Sequence, residues 1–150
     1  MIAWHYTTGQ KYELIKQTGI LLPAEAGVVP PEQPILWFST HPRYEPSALK
    51  PLADPETRKI IRLLTVDEMY DMADGLYRFG HPIAELKCGE NLRKAAKMPS
   101  IVWRRLVKAA ANLKAAPADW WGYVGSLPLS ALTVEKMDAN KRWVPVANQG

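Results

Sequence analysis

Two proline-rich passages, Pro23 to Pro34 and Pro42 to Pro55, set the strongest limit on what this 150-residue chain can fold into. Proline fixes φ and has no amide hydrogen to donate, so neither passage suits a long helix or a central strand. Both read as surface loops. Regular structure must then come from short elements around them, with the loops walling an open cleft on a small sheet scaffold.

Those elements can be placed from pattern. Ile2-Ala3-Trp4-His5-Tyr6-Thr7 reads as a strand from its aromatic and β-branched character. Thr8 suits a helix N-cap, and Tyr12, Leu14 and Ile15 mark a short amphipathic helix that Gly19 stops. Pro34 to Thr40, centred on Ile35-Leu36-Trp37-Phe38-Ser39, reads as a buried strand. Arg58 to Leu64 and Leu76 to Gly80 are further strands, with a helical turn starting at Thr65 or Asp67 between them. Pro82 to Cys88 and Asn91 to Lys97 read as weak helical segments. Ser100 to Ala115 is the clearest helix: Trp103, Leu106, Val107, Ala110 and Leu113 fall at helical spacing, Ser100 can cap it and Pro117 closes it. Trp120 to Leu127, Leu132 to Met137 and Arg142 to Val146 complete the strands, the last two joined by a hairpin at Asp138-Ala139-Asn140-Lys141. This order predicts one α+β domain over residues 1–150, with a small, mostly antiparallel sheet, a cleft and a few flanking helices.

Composition removes several classes of function. The single cysteine, Cys88, forbids an internal disulfide, and no Cys/His set has zinc-ligand spacing, so no metal is expected. The phosphate-cradling patterns G-x-G-x-x-G and G-x-x-x-x-G-K-[ST] do not occur, nor does the nucleophile elbow G-x-S-x-G. No stretch is long and apolar enough to span a bilayer, and the first residues lack signal-peptide features. A cytoplasmic protein without membrane contact is expected. The net charge of +4 is regional: eight Lys and Arg against one acid, Glu90, lie between Lys87 and Lys114, and the remainder is net acidic.

A few polar side chains stand out. His5 is bracketed by Trp4 and Tyr6 and shares a strand face with Thr7; its ring is either satisfied by its neighbours or faces a ligand. Arg78, between Tyr77 and Phe79, must meet either an anion such as phosphate or a structural acid, Asp71 or Asp74. His41 and His81 each precede a proline and read as turn residues. Trp103, Trp37 and one of Trp120 and Trp121 read as core.

Trp4-His5-Tyr6-Thr7-Thr8, the helix ending in Lys16-Gln17-Thr18-Gly19-Ile20-Leu21-Leu22-Pro23, and Ile35-Leu36-Trp37-Phe38-Ser39-Thr40 together resemble the first half of ADP-ribosyltransferase-fold proteins. Small bacterial and phage members are the nearest in pattern. Tyr77-Arg78-Phe79-Gly80, Asp119-Trp120-Trp121 and Arg142-Trp143-Val144-Pro145 extend the likeness along the chain. The resemblance implies an NAD-binding cleft and transfer of ADP-ribose to a macromolecular acceptor, a protein or a nucleic acid. It places His5, Tyr6 and Thr7 at the adenosine ribose and Phe38 and Ser39 along the nicotinamide slot. Arg78 is the phosphate candidate. An acid is needed near the cationic sugar: Glu135 on a late strand is one candidate and Glu45 after the Phe38-Ser39 strand another, with Asp119 a third that also suits a turn or cap. Glu135 has an alternative as a solvated strand residue paired with Lys136 or Arg142. The rival reading is a catalytically inactive binding protein that uses its basic 87–114 segment to dock an acidic protein or nucleic acid.

Overall fold

The computed structural model describes residues 1–146. The strands, in chain order, are β1 (Ile2–Thr8), β2 (Ile20–Leu21), β3 (Ile35–Ser39), β4 (Pro51–Ala53), β5 (Ile60–Leu63), β6 (Leu76–Pro82), β7 (Trp120–Val124), β8 (Leu127–Pro128), β9 (Thr133–Met137) and β10 (Trp143–Pro145). The α-helices are α1 (Gly9–Thr18), α2 (Val66–Met72), α3 (Gly89–Ala95) and α4 (Ser100–Asn112). Six strands form the main sheet in the order β10-β9-β6-β1-β3-β7, every neighbouring pair antiparallel. The expected α+β class with a mostly antiparallel sheet is therefore what the chain adopts.

The pairing is uneven, and that unevenness positions the cleft. β1 runs beside β6 from Ile2↔Pro82 to Thr8↔Leu76, and β3 beside β7 from Ile35↔Val124 to Ser39↔Trp120. Between β1 and β3 a single pair, Trp4↔Ser39, remains in register. Alternation along the strands then sorts the side chains. Ala3, Phe38 and Phe79 join Tyr12 and Leu21 in one core, with the His5 ring against both phenylalanines. Tyr6, Leu76 and Met137 build a second core with Tyr44, Leu64 and Met69. Ile35 packs with Leu92, Ala96 and Met98 in a third, which seats α3 and α4.

Local chemistry explains the element ends. Thr8 caps α1 by accepting from the Lys11 amide, and Gly19 takes the left-handed conformation (φ 72°) as its N–H donates to the Ile15 carbonyl. Thr65 and Glu68 form a capping box on α2. In α4, Ser100 is the first helical residue rather than the cap; Pro99 occupies that position without a side-chain bond, and the helix ends at Asn112 instead of Ala115.

Three segments depart from expectation. The second proline-rich passage contains β4, which pairs with β5 in a separate two-stranded sheet. Proline is tolerated there because Pro51 opens an edge strand and need not donate. The run Trp120 to Leu127 is two strands: β7 ends at Val124, and β8 turns away to pair with β2. Pro82 to Cys88 holds only a 3-10 turn, Ile83–Glu85. Among the described residues no helix is long and apolar enough to cross a membrane.

Candidate functional site

Where β1 and β3 separate, a cavity of about 390 Å³ opens. Trp37 and Trp120 wall it, their rings edge to face at 6.0 Å, and Leu106, Ala109 and Ala110 of α4 line it together with Leu113, the residue that caps that helix. Its volume is within the range of small-molecule sites, and its lining combines aromatic walls with a few convergent polar groups. Those polar groups are His5, Ser39, Glu45 and Ser47.

His5 bridges the split. Its Nδ1 lies 2.7 Å from the Trp37 carbonyl oxygen. A carbonyl can only accept, so Nδ1 carries the hydrogen and Nε2 is left as an acceptor. Burial lowers the His5 pKa below the usual 6.5, outweighing the opposing effect of the Trp37 bond, and the nearby charge of Lys11 pushes it the same way. The ring is consequently neutral at pH 7, and Nε2 can accept a hydrogen bond from a ligand hydroxyl.

Glu45 is the buried acid of the cavity, 6 % exposed. It leaves β3 six residues after Ser39, caps the 3-10 turn Pro46–Ala48 and accepts from the Ser47 amide at 2.9 Å. Ser39 Oγ donates to Oε1 at 2.9 Å; Ser47 Oγ and, at 3.3 Å, Trp120 Nε1 donate to Oε2. Every donor is neutral, so the carboxylate is oriented without being neutralised. Ser39 is itself fixed, because its Oγ accepts from the His41 amide at 3.0 Å. His41 is a turn residue, as expected: its Nδ1 accepts from the amides of Arg43 and Tyr44.

Of the residues singled out in the sequence, His5, Tyr6, Phe38, Ser39 and Glu45 meet at this cavity. Thr7 is buried on β1 and borders a neighbouring cavity instead. Arg78 and Glu135 meet one another rather than the cavity. Arg78 faces Glu135 across β6 and β9, and its Nε donates to Glu135 Oε1 at 2.8 Å. Its guanidinium is stacked between Trp4, 3.8 Å away, and Trp143, 4.6 Å away, while Nη2 also donates to Glu135 Oε1 and Nη1 donates to the Pro42 carbonyl. Both faces and three nitrogens are thus engaged within the protein, which leaves no open fork for a phosphate. The partner is neither Asp71 nor Asp74, and Glu135 pairs with neither Lys136 nor Arg142. Asp119 accepts from Thr40 Oγ1 and ends a 3-10 turn, Pro117–Asp119. His81 is buried in β6 against Glu85 rather than in a turn.

Sequence reasoning missed the tryptophan walls and the α4 lining. Trp37 and Trp120 read as core, and each does pack near Trp103, itself half-buried. Their cavity-facing role depends on the β1–β3 separation, for which there is no local signal. A comparison with protein-family models, curated proteins and solved structures gives no match for this chain.

Proposed function

We propose that this cleft binds NAD and that the protein transfers ADP-ribose to a macromolecular acceptor. The observation that supports this reading best is the convergence of His5 and Glu45 on one aromatic-walled cavity. An acceptor nitrogen at His5 Nε2 suits a ribose hydroxyl, and the flat walls of Trp37 and Trp120 suit a nicotinamide ring. In the reaction the bond between the ribose carbon and the nicotinamide nitrogen breaks, and its electron pair leaves with the nitrogen. The ribose carbon becomes cationic. Glu45, an acid held by neutral donors, supplies the opposing charge where that cation develops. A lone pair on the acceptor then forms the new bond, and the proton released passes to the Glu45 carboxylate. Positioning and electrostatics carry most of the rate, with no covalent enzyme intermediate.

The test is a thermal-shift titration with NAD. Wild-type protein should gain stability as RT ln(1 + [L]/Kd), and His5→Ala should lose the gain. Absence of any shift at about 1 mM NAD rejects the reading.

One observation favours the rival, a non-enzymatic binding protein. Arg104, Arg105 and Lys108 on α4 are exposed, and none forms an ion pair with a described carboxylate. Arg93, by contrast, is engaged by Glu90 at 2.8 Å. Such a surface would bind nucleic acid with an affinity that falls steeply with salt; binding to duplex or single-stranded DNA that ignores salt removes that version.

A further inference from the structure

The cavity between β1 and β3 carries an unbalanced charge. Glu45 is the only charged side chain lining it: no Lys, Arg or Asp does so, and the His5 ring is neutral. Among the described residues no Lys, Arg or His forms an ion pair with Glu45, and Arg78 is paired with Glu135 instead. A buried charge without a partner costs free energy that a counter-charge would offset. The site is therefore matched to a cation.

The hydrogen bonds of Glu45 narrow the kind of cation. A carboxylate offers about four lone-pair sites. Ser39 Oγ takes one on Oε1, and the Ser47 amide, Ser47 Oγ and Trp120 Nε1 fill Oε2. A primary ammonium brings three N–H donors and would find a single lone pair left on that carboxylate, so much of its hydration would go unreplaced. A quaternary ammonium has no N–H to satisfy. It needs an opposing charge, electron-rich faces and apolar surface for its methyl groups. All three are present. Trp37 and Trp120 stand at 72° to one another and make an aromatic corner, Glu45 is bonded to the edge of the second indole, and Leu106 and Ala110 supply aliphatic surface. The same chemistry already operates elsewhere in the molecule, where the Arg78 guanidinium lies 3.8 Å from the Trp4 ring. The free acceptor, His5 Nε2, suits a hydroxyl on the same ligand.

We propose that this cavity binds a small quaternary ammonium alcohol such as choline, its cationic methyl groups in the Trp37–Trp120 corner beside Glu45 and its hydroxyl donating to His5 Nε2. Recognition of this kind does not require NAD to be a ligand. Calorimetric titration of the full chain at constant ionic strength tests it with choline, tetramethylammonium, ethanolamine and neopentyl carbinol, the uncharged carbon isostere of choline. Wild type should bind choline, and should bind ethanolamine and neopentyl carbinol about tenfold more weakly or less. Glu45→Gln should weaken choline and tetramethylammonium alike by about tenfold. His5→Ala should weaken choline by about tenfold while leaving tetramethylammonium unchanged, a selective loss that misfolding cannot produce. Failure of wild type to bind choline, equal binding of the uncharged isostere, or cation binding that Glu45→Gln leaves unchanged overturns the inference. The first two of these need no variant to fold. Choline binding without an NAD-induced thermal shift upholds the cation site and rejects the NAD reading. NAD binding with no affinity for choline or tetramethylammonium does the reverse.

Discussion

Arg78 and Glu135 form a nearly dry ion pair across β6 and β9, the two side chains 10 % and 18 % exposed, with indoles on both faces of the guanidinium. Glu135 is therefore committed to the sheet. Glu135→Ala leaves a buried cation unpaired and should cost about 3–5 kcal/mol, read from urea unfolding. Glu135→Gln keeps a hydrogen-bond acceptor and should cost about 2 kcal/mol. Nicotinamide release by the Gln variant should match that of wild type; a large loss would return Glu135 to the catalytic candidates.

Glu45→Gln separates the two acids. The amide can turn its NH₂ toward Ser39 Oγ and keep its oxygen toward Ser47 and Trp120, so stability should fall by less than about 2 kcal/mol. The negative charge is lost. Nicotinamide release should drop by about 10²–10³-fold while the NAD-induced thermal shift persists. Equal activity in variant and wild type would remove Glu45 from the mechanism.

His5 makes stability depend on pH. Its folded pKa lies below 6.5, so the unfolded chain binds its proton first as pH falls. The stability it contributes is present above pH 6.5 and is lost progressively below that value, down through the folded pKa. Chemical denaturation across pH 5 to 7 should show a steeper fall in wild type than in His5→Gln. Parallel curves would contradict a buried neutral ring.

Tyr6 sets an opposite limit on the alkaline side. Burial raises its pKa from 10.0 to about 12, and its hydroxyl donates to the His41 carbonyl at 2.7 Å. The unfolded chain loses the Tyr6 proton first as pH rises. Stability is complete below pH 10 and should fall by about 3 kcal/mol on the way to the folded pKa. Tyr6→Phe should lack that component. Phenolate absorbance should show a late-titrating tyrosine in wild type that is absent from the variant.

Gly9 tests the junction between β1 and α1. A Cβ there would collide with the Asp74 carbonyl, a backbone oxygen that cannot rotate away, and the Gly9 amide already donates to Gly75 at 2.8 Å. Gly9→Ala should destabilise by about 1–3 kcal/mol or more, measured as a fall in denaturation midpoint. An unchanged midpoint would show that the Asp74 turn can yield.

What could be read from the sequence was what neighbours in sequence determine. Thr8 and Gly19 bracket α1 because caps act within one turn, and β3 stands out because five consecutive residues suit a buried strand. β4 was hidden because Pro51 and the prolines around it argue for a loop, and only its pairing with β5 makes it a strand. Glu45 carried a usable signal, an acid directly before the proline of a 3-10 turn. Its bond to Trp120, 75 residues away, had none.

The single rung between β1 and β3 also has a mechanical consequence. The sheet is two well-paired panels, β6 with β1 and β3 with β7, pinned together by Trp4↔Ser39 and by the His5 bond to Trp37. Main-chain groups along the rest of that seam have no strand partner across it. A molecule that bridged both walls of the seam would tie the two panels together, and slowing of amide exchange on both panels at once would record that closure.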